Sequence, residues 1–202
     1  MRSLFLTLST LLILSTSFGQ VQFGLKAGLN LASIKDVGLD NSKARIGYNA
    51  GGMLQWKFAE KFLLRPELLY SVKGYRSPAS QTNDEATASL SYVNLPILFG
   101  FRPTQNLSLL LGPELGFLTS AKSNFGGTSH DISSTYREFD IGIDLGLAYY
   151  VSKGFGVDLR YCYGFKGLVN VVYTDQYGNV TSQGKTGANR VFQLGIYYVL
   201  SK

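Results

Sequence analysis

The feature that most limits how this chain can fold is an alternation of apolar and polar side chains with a period of two residues. Between residues 46 and 58 every second residue is apolar or glycine, and the residues between them are mostly polar or small. This period is that of a β-strand with one apolar face. The same alternation recurs along the chain and predicts eight strands, at residues 21–33, 46–58, 62–75, 89–102, 107–120, 138–151, 155–166 and 188–200.

The predicted strands contain about a dozen residues each, more than the ~5 to 6 residues typical of soluble sheets. A strand of this length crosses a bilayer when it is tilted by ~45°. After residue 20 the chain has no run of 18 apolar residues, which excludes a helical membrane protein. The pattern therefore favours a β-barrel that spans a membrane.

The connections between the predicted strands alternate strictly between long and short. The long ones cover residues 34–43, 76–88, 121–137 and 167–187, and the short ones cover residues 59–61, 103–106 and 152–154. Outer-membrane barrels have short periplasmic turns, long extracellular loops and an even number of strands. We therefore predict an all-β, antiparallel, up-and-down barrel in the outer membrane of a Gram-negative cell, with both chain termini in the periplasm.

The side chains on the two faces indicate which face meets lipid. The polar face is rich in glycine, and the apolar face carries bulky leucine and aromatic residues. A soluble, lipocalin-like barrel would place the apolar face inside, so the alternation alone fits both arrangements. An eight-stranded barrel is only just wide enough to be filled by side chains. Small residues suit that narrow interior, and we expect the bulky apolar face to contact lipid.

Charged residues of both signs fall on the face that is predicted to line the interior. They could form a catalytic or transport site, but mixed charges in a narrow interior more often neutralise one another as a structural plug. The predicted interior charges are Lys26, Arg45, Lys57, Arg65, Glu67, Lys73, Glu114, Asp140, Asp144, Asp158, Arg160 and Lys166.

The tight turn at residues 152–154 fixes a register between the two strands that flank it. If Val151 faces Phe155, Arg160 lies diagonal to Asp144 and Lys166 faces Asp140. We therefore expect Asp144 and Arg160 to be partners inside the barrel. We also expect removal of Asp144 to leave Arg160 without a partner.

Aromatic residues collect near the predicted strand ends, as they do at the two interfaces of membrane barrels. One set lies toward the long loops, at Tyr70, Phe117, Phe139, Tyr163 and Phe165. The predicted aromatic girdle at the short turns consists of Trp56, Phe58, Phe62, Phe101, Tyr149, Phe155 and Tyr198.

The N-terminal segment has the three parts of a secretory signal peptide. Arg2 is followed by an apolar stretch, and small residues at Ser17 and Gly19 flank Phe18. We predict a signal peptide at residues 1–19 and one barrel domain at residues 20–202. An uncleaved membrane anchor is the alternative, although the apolar stretch is short for a membrane span.

The composition argues against several kinds of site and partner. With one cysteine and one histidine the chain can form neither an intrachain disulfide nor a multi-histidine metal site, and we expect no cofactor. The net charge is +6, but the basic residues are scattered, which argues against nucleic acid as a partner. His130 lies in a long loop with Ser129, Asp131, Ser133 and Ser134, so a surface hydrolase stays an alternative.

Several phrases in six of the predicted strands resemble the PorT-like outer-membrane β-barrel domain family, the small porin-like barrels of secretion and surface proteins. The phrases are FGLKAGLNLAS, LLRPELLYSVKG, SYVNLPILFGF, LLLGPELGFL, FDIGIDLGLAYYV and VDLRYCYGF. The resemblance implies an eight-stranded outer-membrane barrel but no single activity, because members of the family serve different roles.

We interpret the chain as a non-enzymatic, monomeric barrel in contact with outer-membrane lipid and lipopolysaccharide. Its long loops would bind a surface partner, or the barrel would dock on envelope or secretion machinery. An example of such a loop is VVYTDQYGNVTSQ, which is predicted to form a hairpin that turns at Gly178 and Asn179. A small-solute pore and an enzyme that uses His130 are the alternatives.

Overall fold

A computed structural model describes residues 21–35, 43–77, 86–165, 167, 169–174 and 180–200. The predicted signal peptide lies outside these residues. No helix in the described ranges is long and apolar enough to cross a membrane. The strands are β1 (Val21–Lys35), β2 (Lys43–Ala59), β3 (Phe62–Ser77), β4 (Ala86–Phe101), β5 (Leu107–Phe125), β6 (Thr128–Asp131), β7 (Phe139–Tyr150), β8 (Phe155–Gly164), β9 (Val169–Thr174), β10 (Val180–Thr186) and β11 (Ala188–Leu200).

Eight of these strands form a closed antiparallel ring. The order around the ring is β1, β2, β3, β4, β5, β7, β8 and β11, and every neighbouring pair is antiparallel. The ring closes where β11 pairs with β1, for example at Gly28 and Gly195. The predicted eight-stranded, up-and-down barrel is therefore confirmed, and each ring strand has a neighbour on both sides.

The remaining strands lie in the third and fourth long connections, and the sequence pattern predicts no strand for the third, at residues 121–137. β5 does not end near Ser120 but continues to Phe125 and forms a hairpin with β6 around Gly126 and Gly127. Those two glycines have positive φ angles of 55° and 81°, which few other residues adopt without strain. The strand prediction was too short here because the alternation weakens in the polar hairpin, although the backbone pairing persists.

A second hairpin lies in the last long connection. β9 and β10 pair with each other, with a register shift between Val180 and Ser182. This confirms the predicted hairpin strands, while the predicted turn at Gly178 and Asn179 lies outside the described residues. Among the described residues, the long-loop end of the barrel therefore carries two antiparallel extensions.

Side chains alternate between the outside and the inside of the ring, as the strand period requires. On β8, Leu159 is 51% exposed, whereas its neighbour Arg160 is 1% exposed. Bulky apolar residues are exposed on all eight ring strands, for example Leu25, Ile46 and Leu194. The apolar face is therefore the outer one, and the soluble, lipocalin-like alternative is wrong.

The interior is not uniformly polar, which the sequence pattern did not predict. One apolar cluster fills the short-turn end, with Met53, Leu63, Leu98, Leu110, Ala148, Tyr197 and Val199. A second fills the long-loop end, with Ile34, Leu90, Tyr92, Ala121 and Tyr136. We call them the lower and upper apolar layers. Charged side chains occupy the space between them.

Candidate functional site: the charged barrel interior

The charged side chains between the two apolar layers come from strands on different sides of the ring. β1 contributes Lys26, β3 contributes Arg65 and Glu67, and β8 contributes Asp158 and Arg160. Each occupies the inward-facing set of positions on its strand and is 3% exposed or less. Because the ring is narrow, these side chains reach one another across it.

Glu67 is the centre of this network. Arg160 binds its carboxylate in a bidentate way. Nη2 donates a 2.8 Å hydrogen bond to Oε1, and Nη1 donates a 3.0 Å hydrogen bond to Oε2. Arg65 Nε lies 2.8 Å from Oε1, and Lys26 Nζ lies 3.6 Å from Oε2. A two-pronged arginine contact fixes direction as well as charge, so Glu67 holds the two sides of the barrel together.

Asp158 is the second acceptor of the same three cations. Its Oδ2 accepts a 2.6 Å hydrogen bond from Lys26 Nζ and lies 3.3 Å from Arg65 Nη2 and 3.5 Å from Arg160 Nη2. Buried charge is costly unless it is paired and hydrogen bonded. Sharing three cations between Glu67 and Asp158 meets that condition.

The pair expected from the turn register is present, but it is not isolated. Gly146 faces Arg160, and Arg160 Nη1 donates a 3.3 Å hydrogen bond to Asp144 Oδ2. The expectation that Arg160 depends on Asp144 alone is wrong, because Glu67 and Asp158 also contact it. Register between adjacent strands does not show Glu67, which reaches Arg160 from the far side of the ring.

A second group of charges lies closer to the upper apolar layer. Lys73 Nζ donates a 2.7 Å hydrogen bond to Glu114 Oε1 and lies 5.3 Å from the centre of the Tyr92 ring. Glu114, Asp144 and Cys162 bring one oxygen or sulfur atom each within 4.8 Å of the others. Such atoms can bind divalent metals. The two carboxylates are already neutralised by Lys73 and Arg160, so we assign these contacts to the charge network.

The other predicted interior charges lie at its margins. Asp140 is half-buried and accepts a 2.7 Å hydrogen bond from Asn189 Nδ2. Arg45 donates to the backbone oxygen of Lys73 at 3.3 Å, and Lys57 is half-buried at the short-turn end. Lys166 lies outside the described residues, so its expected pairing with Asp140 stays a prediction.

Uncharged polar residues complete the interior, and we did not predict them. Asn30 Nδ2 donates to Ser71 Oγ at 3.0 Å and to the backbone oxygen of Val72 at 2.9 Å, while Asn49 Nδ2 donates to Asn30 Oδ1 at 2.7 Å. The available signal was position: Asn30 follows Lys26 by four residues and therefore lies on the same face of its strand.

The aromatic residues predicted at the short turns lie on the outer surface of the barrel. Trp56, Phe58, Phe62, Phe101, Tyr149 and Tyr198 are exposed, and Phe155 is half-buried beside Tyr198. The rings of Phe58 and Phe62 are 6.3 Å apart, and both pack on Phe99, which is not part of the predicted girdle. At the opposite end, the rings of Phe117 and Phe139 are 5.1 Å apart.

The loop around His130 is built differently from a hydrolase triad. His130 is exposed in β6, opposite Ser123. The backbone N–H of Ser133 donates to Asp131 Oδ1 at 2.8 Å, which lowers the pKa of Asp131 from its ordinary value. The Ser133 hydroxyl oxygen accepts a 3.0 Å hydrogen bond from the backbone N–H of Ala121. Asp131 and Ser133 are thus used to shape the loop.

Comparison with known proteins agrees with this architecture. A family model described as "Outer membrane protein beta-barrel domain" matches residues 15–170. Among curated proteins, none matches the chain. The family match supports an outer-membrane location.

Several solved structures are similar to this chain in fold. Neisserial surface protein A is 15% identical, with a TM-score of 0.56 over 87% of this chain and 96% of that chain. OprG from Pseudomonas aeruginosa is 12% identical, with a TM-score of 0.51 over 90% and 96%. Ail from Yersinia pestis, in complex with the heparin analogue sucrose octasulfate, is 16% identical, with a TM-score of 0.50 over 90% and 99%.

Proposed function

The chain belongs to the outer membrane protein β-barrel domain family, and we propose that it is a non-enzymatic, non-conducting barrel that acts through its two ends. The observation that carries this proposal is the paired charge network between two apolar layers. The side chains of Lys26, Glu67, Asp158 and Arg160 are at most 1% exposed. A solute crossing the barrel would have to break these ion pairs and displace both apolar layers.

In a non-conducting barrel the function depends on the groups that are exposed at the long-loop end and the short-turn end. The described part of the long-loop end carries two hairpins, and loops on a rigid scaffold commonly bind partners. We propose that this end faces outside the cell and binds a surface partner, while the short-turn end and both termini face the periplasm and dock on envelope or secretion machinery. Lipid and lipopolysaccharide surround the apolar outer face. Membership of the PorT-like group stays a prediction.

We propose that the protein is a monomer. Each strand of the ring has a neighbour on both sides, so the ring itself offers no free edge for a second copy. Chemical cross-linking in intact envelopes, followed by sizing in denaturant, would give a single-chain band as the main species. A ladder of multiples would contradict this part of the proposal.

Orientation is tested by labelling single cysteines in whole cells with a membrane-impermeant maleimide. In a Cys162→Ser background, His130→Cys lies in the exposed β6 hairpin and Thr104→Cys in an exposed short turn. We expect His130→Cys to be labelled in intact cells and Thr104→Cys only after the outer membrane is broken. The reverse pattern would invert the proposed orientation.

Docking is tested with a photo-cross-linking amino acid placed at each of the same two positions in turn. The proposal predicts that at least one end gives discrete protein adducts in living cells, which mass spectrometry then identifies. Only self-adducts at both ends, together with uptake of small sugars by liposomes that contain the purified protein, would favour the small-solute pore.

A further inference from the structure

The short-turn end of the barrel contains a cavity of about 900 Å³ outside the charge network. Its walls are the three short turns and the adjoining strand ends, and Tyr150 and Val199 on its floor pack with the lower apolar layer. We call this cavity the short-turn basin. Its volume is in the range of pockets that hold a sizeable organic ligand, ~300 to 1,000 Å³.

Most of the charged residues that line the basin are basic. Lys57, Lys61, Arg102 and Lys153 line it, and Glu60 is the acidic residue among its lining groups. Within the described ranges none of these four cations forms an ion pair, whereas the interior cations Lys26, Arg65, Lys73 and Arg160 all do. Their positive charge is therefore available to a ligand.

One of the four cations is held in place by the turn itself. Arg102 Nη2 donates a 2.7 Å hydrogen bond to the backbone oxygen of Gln105, and the Arg102 backbone N–H donates to the backbone oxygen of Lys61 at 2.7 Å. The Nε of Arg102 is buried and has no hydrogen-bond acceptor among the described residues. A guanidinium that the turn holds in place suits a carboxylate or another oxyanion.

The facing of the strands shows from which side a ligand would arrive. Gln22, Lys57 and Val199 belong to the inward-facing sets of β1, β2 and β11. The residues of the predicted aromatic girdle, such as Trp56 and Phe62, face outward toward lipid. The basin is thus the mouth of the barrel and opens between the turns into the aqueous phase. Lipid headgroups would meet the outside of the turns instead.

We propose that the short-turn basin binds an acidic peptide segment of an envelope protein. The cations would attract its carboxylates, while amide and hydroxyl groups at Thr104 and Asn106 and the apolar surface of Tyr150 would contact its backbone and side chains. This mixed lining is more than a bare anion needs. The inference rests on the proposed docking role of this end and adds the chemistry of the partner.

The test measures peptide binding to the full chain in zwitterionic lipid nanodiscs by isothermal titration calorimetry at low salt. The probe is end-capped hexaglutamate, and capped hexaglutamine is the neutral control peptide. We expect binding of hexaglutamate that weakens as salt rises, and no heat from hexaglutamine. Lys61→Gln combined with Arg102→Gln is expected to weaken binding at least ~10-fold, which corresponds to ~1.4 kcal/mol.

Arg102 also supports a turn, so Lys61→Gln with Lys153→Gln is the second variant, since both lysines are exposed. The matched control is Lys43→Gln with Lys122→Gln, which removes the same charge from exposed positions at the long-loop end. A change of under ~2-fold in the dissociation constant of hexaglutamate for this control variant supports binding in the basin.

Three results would overturn the proposal. The first is equal weakening in the basin and control variants, which would mean attraction by net charge alone. The second is displacement of the peptide by an equal concentration of inorganic phosphate, which would mean a bare anion site. The third is loss of binding in anionic-lipid nanodiscs at a salt concentration that screens the membrane's surface charge and at which zwitterionic nanodiscs still bind, which would mean a headgroup site. None of them bears on conductance, so the closed-barrel proposal is judged separately.

Discussion

Replacing Glu67 by glutamine removes the charge at the centre of the interior network without creating a large cavity. Three cations, Lys26, Arg65 and Arg160, contact Glu67 at 2.8 to 3.6 Å, so the substitution leaves them with Asp158 and Asp144 as their acidic partners. Breaking a dry buried ion pair by removing one partner costs ~3 to 5 kcal/mol. We expect Glu67→Gln to lower the free energy of unfolding by that amount.

Asp144→Asn is the matched comparison, because Asp144 contacts Arg160 through one hydrogen bond of 3.3 Å and Arg160 keeps its Glu67 partner. We expect it to cost ~2 kcal/mol or less. Urea unfolding in phospholipid vesicles gives both values, with the fluorescence of the single tryptophan, Trp56, as the signal.

A double-mutant cycle of Glu67→Gln with Arg160→Met tests the pair itself. It should give a coupling of ~1 kcal/mol or more, because each variant removes a charge that the other leaves unpaired. A loss below ~1 kcal/mol for Glu67→Gln, with no coupling, would mean that the interior is hydrated. That outcome would refute the dry network.

The outer face and the tight interior give two further predictions. Leu159→Arg places a charge on the lipid face in mid-strand and should lower the free energy of unfolding in vesicles by ~2 to 4 kcal/mol. Cys162→Ser, inside the barrel, should lower it by less. The opposite order would contradict the assigned facing. Gly195→Ala adds a Cβ that overlaps Asp158 Oδ1 and should cost ~1 to 3 kcal/mol. Gly52→Ala, whose added Cβ has Gly24 O at 3.9 Å as its nearest neighbour, should be close to neutral in the same assay, and equal losses would argue against the crowding of Asp158.

Local patterns in the sequence predict much of this barrel. The alternation sets the facing of Leu159 and Arg160, and the length of the turn before β8 sets the pairing of Gly146 with Arg160. Both depend on residues close along the chain or on adjacent strands, where strand geometry leaves few choices.

Contacts across the interior could not be predicted in the same way. Glu67 and Arg160 are 93 residues apart and lie on strands that are not neighbours, so no pairing rule relates them. The lower apolar layer was missed for the same reason, because its residues lie on several strands, and Leu98 and Tyr197 become part of one layer only when the ring closes. The basin likewise depends on three turns that meet only in the folded barrel.

The central claim is that the barrel interior is closed by paired charges and apolar layers. Its most direct test is the single-channel conductance of the purified full chain in planar bilayers, recorded over a range of voltages and at high salt. The claim predicts no stable openings above the bilayer baseline, because an eight-stranded interior is filled by its side chains. Reproducible, porin-sized conductance steps in the wild-type protein would contradict it.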